Sequence, residues 1–210
     1  MTSDPLDPPT PPKSYHHGDL RNALIAAGRE MLTEEGVAEL DLRKVARRVG
    51  VSRSAPYRHF ADKRALLAAI AEDGFRDLTA AVQEALAEAG PSARARLTQL
   101  VTAYVRFGLA HPARMREMFS GLTIDRMAYP DLYAASKAAF APLLRTIAEG
   151  QARGELRVMD VEAAAIVCWS QMHGLTMLLL EQQIPDASEQ VVAGLIGACV
   201  DVLCNGLASQ

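Results

Sequence analysis

From Gly18 to its C-terminus the chain holds no run of alternating polar and apolar residues long enough for a strand, and its apolar positions recur at spacings of three and four. That periodicity predicts an all-α fold. Composition agrees where it bears on the point: 36 Ala and 25 Leu stand against 30 Val, Ile and Thr together, which disfavours a sandwich or a parallel sheet. Half of the 210 residues are hydrophobic and 22% are charged, enough to bury a core and unlike a disordered protein.

Caps and breakers divide the chain. Asp19 is placed to cap a first helix reaching about Gly36, and Asp41 a short one that carries Leu42, Val45, Ala46 and Val49 on one face before Gly50 ends it. Ser52 is placed to cap a further helix to about Phe60, and Asp62 to open a long one to about Ala89, where Gly90 and Pro91 interrupt. Helices are expected near 92–110, 112–121, 130–153, 160–183 and 187–206, with Pro142 kinking or dividing its segment. Residues 1–13 form an expected disordered tail: the first twelve carry Asp4, Asp7 and five of the eleven prolines, and lack the basic and apolar regions of a signal peptide. Residues 14–64 and 65–210 are read as two functional parts. The most apolar window, Val161–Leu180, is long enough to cross a bilayer, but Glu162, Ser170, Gln171, His173 and Thr176 make it a buried helix rather than a span. Cys168, Cys199 and Cys204 fit neither a disulfide framework nor a zinc site and read as reduced cytoplasmic thiols.

Charge is unevenly placed. Residues 13–64 hold 11 Lys and Arg against 7 Asp and Glu, a net +4, whereas residues 65–210 hold 11 against 16, a net −5. A basic N-terminal module on an acidic body suits a protein with one end facing a polyanion. Within that module Asp41–Val49, the Gly50-Val51 turn and Ser52–Phe60 have the spacing of a helix-turn-helix, whose second element enters the major groove of DNA while flanking groups hold phosphates. Arg53, Ser54, Tyr57, Arg58 and His59 concentrate hydrogen-bond donors on that element.

Residues 18–67, above all Gly50-Val51-Ser52 and the run from Tyr57 to Leu67, resemble the DNA-binding domain of TetR-type transcriptional regulators. The resemblance implies an all-α homodimer, with three N-terminal helices that bind DNA and a C-terminal bundle that binds a small-molecule effector and dimerises. Trp169, His173 and Gly174 form a W-x-x-x-H-G pattern that, with the Tyr15–Leu20 start, resembles one subgroup of that family. Carried over by position, it implies base-edge contacts from Arg43, Arg53, Ser54 and Ala55, and phosphate contacts from Tyr57, His59 and Lys63. Arg forks onto guanine and an Ala methyl meets thymine, in keeping with those roles. Two departures stand out: many relatives carry Gly at the place of Ser54 and a larger apolar residue at that of Pro56. The proline is expected to push Ala55 toward extended geometry. His16 and His17 lack companions at ligand spacing, so no metal is expected.

In the body, Tyr104, Phe107, Met118, Phe119, Phe140, Trp169, Met172 and His173 suit an adaptable apolar pocket, although each also suits a core. Trp169 and His173 share a helix face, in a structural or a ligand-contacting role, and Gly174 is expected to admit a close neighbouring helix. Wide apolar faces on the last two helices predict a four-helix dimer interface and hence a palindromic operator. No phosphate loop, nucleophile elbow, HExxH helix or close carboxylate pair is present, so neither catalysis nor a cofactor is expected. The reading is a repressor released from DNA by an apolar effector; the alternative is a DNA-binding regulator that answers no small molecule.

Overall fold

The computed structural model describes residues 17–119 and 126–207, so the expected tail, Tyr15 and His16 lie outside the described residues. The described residues fold into eight α-helices and no strand. In chain order these are α1 (His17–Glu35), α2 (Leu42–Val49), α3 (Lys63–Ala87), α4 (Ala93–Ala110), α5 (Pro112–Phe119), α6 (Pro130–Ala152), α7 (Val161–Leu180) and α8 (Glu189–Leu207). Helix α1 starts at His17, two residues ahead of Asp19, so that residue lies inside the helix and is not its cap. Helix α6 runs unbroken through Pro142. Burial of Pro142, Leu143, Thr146 and Ile147 offsets the hydrogen bond that proline removes, and the Thr146 hydroxyl donates to the Pro142 carbonyl at 2.9 Å.

Helix α3 joins the two ends of the molecule. The Asp62 carboxylate caps it by accepting from the Ala65 amide at 2.8 Å. Its first turns bury Leu66, Leu67 and Ile70 completely, with Leu66 and Ile70 set against α1 at Gly28. Its later turns bury Phe75, Leu78 and Val82 on the side of α4 and α6. The apolar core therefore continues from Leu24 in α1 to Leu203 in α8. A charged clamp holds the same junction. Arg114 of α5, only 7% exposed, reaches Asp73 and Asp77 of α3 at 2.7 Å each, and Asp73 also faces Arg29 of α1 at 3.4 Å. Leaving such a buried cation without its carboxylates is costly, so the clamp fixes α5 on α3.

Helix α7 departs from the buried helix that its apolarity predicts: 33% of its most apolar window is buried, and Ile166, Val167 and Leu178 are exposed. Helix α8 likewise exposes Val191 and Val202. Among the described residues of its own chain Gly174 meets no neighbour within 4 Å of where a Cβ would stand, so no helix of the same protomer makes the close approach expected there. That approach is made by Gly108 of α4 instead, where a Cβ would lie 2.4 Å from Thr176 Cγ2 of α7. Cys168 and Cys199 are buried and Cys204 partly so, and burial pushes the Cys168 thiol up to about 12.

Candidate nucleic-acid interface and effector cavity

Helix α2 is fixed at both ends by its own sequence. The Asp41 carboxylate accepts from the Arg43 and Lys44 amides at 2.7 and 3.2 Å, and Gly50 ends the helix at φ 78°, a left-handed conformation that side chains with a Cβ adopt at a cost. The Val51 amide then closes onto the Ala46 carbonyl at 3.0 Å, and the chain turns sharply into the next element. That element is not the α-helix expected over Ser52–Phe60. It is a series of tight turns with a 3-10 segment at Pro56–Arg58. Pro56 has no amide to donate to the Ser52 carbonyl, which instead accepts from Ala55 at 3.0 Å, so the α-helical ring cannot close. Nor does Ser52 act as the cap: its hydroxyl lies 3.3 Å from that of Ser54. Ala55 is helical (φ −59°, ψ −43°), not extended, because its amide and carbonyl are both held in these turns.

Arg43, Arg53, Ser54 and Tyr57 are exposed, Tyr57 by 47%, whereas Ala55 is half-buried. A concave patch formed by Arg43, Lys44, Arg47, Gly50, Val51 and Arg53 joins α2 to the turn. The cations around it are not equivalent. Lys44 pairs with Glu39 at 2.6 Å and Glu35 at 3.7 Å, and Arg48 pairs with Glu34 and Glu30, so these four carboxylates neutralise the flank toward α1. Hydrogen bonding to Lys44 also draws the Glu39 carboxyl below its usual range. Arg43, Arg47, Arg53 and Arg58 have no ion pair among the described residues and stay available for an anion. Arg47 was absent from the expected contacts, although its place four residues after Arg43 on a helix puts both on one face. Lys63 is half-buried, its ammonium donating to the Ala38 carbonyl at 3.2 Å. His59 turns toward a recess shared with Arg21, Phe60, Glu72 and Asp131, and its enclosed Nε2 has no hydrogen-bond partner among the described residues.

In the body a cavity of about 210 Å³ opens among α3, α4, α6, α7 and the end of α5. Tyr104, Phe119, Phe140, Trp169 and Met172 stand on its wall. Phe107 does not; it packs edge-on against His111 with ring centroids 5.1 Å apart. Nor does Met118, which fills the space above Gly74 of α3. His173 lies behind the wall, its ring 4.5 Å from that of Phe119. Phe75, Leu78 and Val82 of α3, Leu100 of α4, Ala139 and Leu143 of α6 and Ile166 of α7 complete the apolar lining, with Ser136 and Lys137 as its further polar members.

Behind that wall the polar groups of α4 and α7 satisfy one another. The Trp169 indole donates to the Tyr104 oxygen at 3.2 Å, and the Tyr104 hydroxyl lies 2.8 Å from His173 Nδ1. Burial holds the His173 pKa below its ordinary 6.5, which favours a neutral ring with Nδ1 accepting the tyrosine proton. An unfolded imidazole takes up a proton as the pH falls through 6.5, while the folded one resists it. Stability attached to this group is therefore complete at neutral pH and falls on acidification. Lowering the pH from about 7.5 to about 5.5 is expected to reduce the melting temperature of the wild type more than that of His173→Gln; equal reductions in thermal melts would remove His173 from the acid response.

Residues 24–70 match the family described as bacterial regulatory proteins, tetR family, and residues 97–199 match the Tetracyclin repressor-like C-terminal domain. The chain is 51% identical over 51 residues to tetracycline repressor protein class A of Escherichia coli, a match covering 24% of each protein. It is 27% identical over 139 residues to the HTH-type transcriptional regulator Rv1816 of Mycobacterium tuberculosis, covering 65% of this chain and 59% of that one. It thus spans a quarter to three-fifths of the curated relatives' lengths. A solved structure of a protein of unknown function from Rhodococcus sp. RHA1 is 37% identical and superposes with a TM-score of 0.83, covering 94% of this chain and all of that one. FadR from Bacillus subtilis, solved with stearoyl-CoA, shares the fold at a TM-score of 0.71 and 17% identity, covering 89% of this chain and 98% of that one. With a basic helix-turn-helix module at its N-terminus and a repressor-like helical body behind it, the chain belongs to the TetR family of bacterial regulatory proteins.

Proposed function

We propose that the protein is a cytoplasmic homodimeric transcriptional repressor that binds a palindromic DNA operator and leaves it when a small apolar effector fills the body cavity. The observation that carries the DNA-binding part is the charge arrangement around the Gly50 turn: Lys44 and Arg48 are neutralised by α1 and its following loop, while Arg43, Arg47, Arg53 and Arg58 have no ion pair among the described residues and are exposed. Arg43 and Arg53 read base edges together with Ser54 and Ala55, and Tyr57, His59 and Lys63 hold the phosphate backbone. The N-terminal module, residues 14–64, does this work, and residues 65–210 hold the effector and the dimer contacts.

Phe119 of α5 lines the cavity and Arg114 of the same helix is clamped to Asp73, which also faces Arg29 of α1. An effector that displaces Phe119 thereby acts on the DNA-binding module through α5 and α3. Shifting the dimer from 99:1 to 1:99 requires an effector that prefers the released state about 10⁴-fold, or ~5.5 kcal/mol.

Selection of bound sequences from a random DNA pool tests the reading. A palindrome with half-sites about 34–36 Å apart, or a multiple of that, is expected. Arg53→Ala is expected to relax preference at one base position by ~1–3 kcal/mol. Lys63→Ala is expected to weaken all sequences alike and lower the salt slope by about 1. Recovery of no enriched sequence from the pool would sink the proposal.

A further inference from the structure

We infer that the body cavity takes a compact apolar monocarboxylic acid, its hydrocarbon part among the aromatic rings and its carboxylate at Lys137. This rests on the reading of that cavity as the effector site. The assignment comes from an account of every donor on the wall. The Trp169 N–H is committed to Tyr104, the Tyr104 hydroxyl to His173, and the Ser136 hydroxyl donates to the Tyr133 carbonyl at 2.9 Å. None of these has a proton left for a ligand. A hydrogen-bond acceptor of the ligand in the depth of the cavity would give up its water without gaining a donor, a penalty that an apolar group avoids.

Lys137 is the exception. It is the one charged side chain on the wall as described, and it is exposed, which puts it at the mouth, whereas Tyr104 is 4% exposed and deep. Its ammonium lies 4.6 Å from the centre of the Tyr133 ring and has no carboxylate partner among the described residues. The ring supports the cation without neutralising it. A ligand with its charge at the mouth is therefore an anion, and a cation is repelled. Size follows from volume: an apolar cavity of about 150 Å³ holds benzene, so about 210 Å³ holds a hydrocarbon body of about eight carbons.

The chain has one tryptophan, Trp169, so its emission reports on this cavity alone. The test titrates the full-length protein with octanoate, 1-octanol and octylamine, follows Trp169 emission, and then measures affinity for the selected operator with and without octanoate. Octanoate is expected to bind at least tenfold more tightly than the other two. Lys137→Gln, an exposed position whose replacement leaves the core intact, is expected to abolish that preference and leave octanol binding unchanged. Octanol binding as well as octanoate, or octanoate affinity unmoved by Lys137→Gln, overturns the carboxylate assignment even if the cavity is filled. No emission change with any probe up to millimolar concentration overturns it as well. Octanoate that binds with the expected preference but leaves operator affinity unchanged supports the ligand class and overturns the effector role proposed above.

Discussion

The double substitution Val167→Glu, Val202→Glu is expected to convert the protein to a monomer and to lower its affinity for a palindromic operator by at least about 100-fold, because one half-site is lost from a two-site engagement. Both valines are 60% exposed, on α7 and α8 respectively. Along α7 the exposed or half-exposed positions Ala163, Val167, Ser170, Gly174 and Leu178 recur at four, three, four and four, and along α8 Val191, Leu195, Ala198 and Val202 recur at four, three and four. These are seams of small and aliphatic groups with nothing among the described residues of their own chain above Gly174, Gly194 or Gly197. In an isologous interface each substitution appears twice, so four carboxylates are buried without partners, at a cost of several kcal/mol. The measurement is mass in solution, where the variant should run at the 22.7 kDa of one chain and the wild type at twice that. A variant that stays dimeric would move the interface elsewhere.

Those seams also show where sequence reasoning succeeds and where it stops. The apolar excess of the last two helices is legible, since hydropathy counts atoms that must leave water. Which of those atoms are covered by the chain itself is not, and α7 was therefore read as buried. The same limit explains the cavity. Periodicity identifies Tyr104, Phe140, Trp169 and Met172 as inward-facing, but a void is a property of several helices at once, so the contributions of Phe75, Leu78 and Val82 do not show on the long helix that Asp62 opens. Phe107 and Met118 carry the same inward signal and fill space instead of bounding it. In the DNA-binding module the ends of α2 were legible because Asp41 and Gly50 act locally, through a hydrogen bond and a dihedral. The next element differs from its expectation because one residue, Pro56, decides it: the Ser52 cap and the helix-turn-helix spacing favour a helix, and the missing amide prevents one.

Gly108→Val is expected to destabilise the protein by about 3 kcal/mol, the upper end for an overpacked core. Replacing glycine inside a helix brings a gain of less than about 1 kcal/mol, smaller for valine than for alanine. Against it stands the α4–α7 contact, where the new Cβ would lie 2.4 Å from Thr176 Cγ2. Thr176 is fully buried and its hydroxyl donates to the Met172 carbonyl at 2.8 Å, so rotating the methyl aside breaks that bond. The helices must part instead, and the Tyr104–His173 hydrogen bond that crosses the same interface is stretched with them. Chemical denaturation measures the loss, and a shift of Trp169 emission toward that of exposed indole should accompany it. Thr176→Ser deletes the methyl in question, so the double variant should recover at least about 1 kcal/mol as a coupling energy. A Gly108→Val variant as stable as the wild type would mean that α4 and α7 are not held together at this contact, and the geometry assigned to the cavity wall would fall with it.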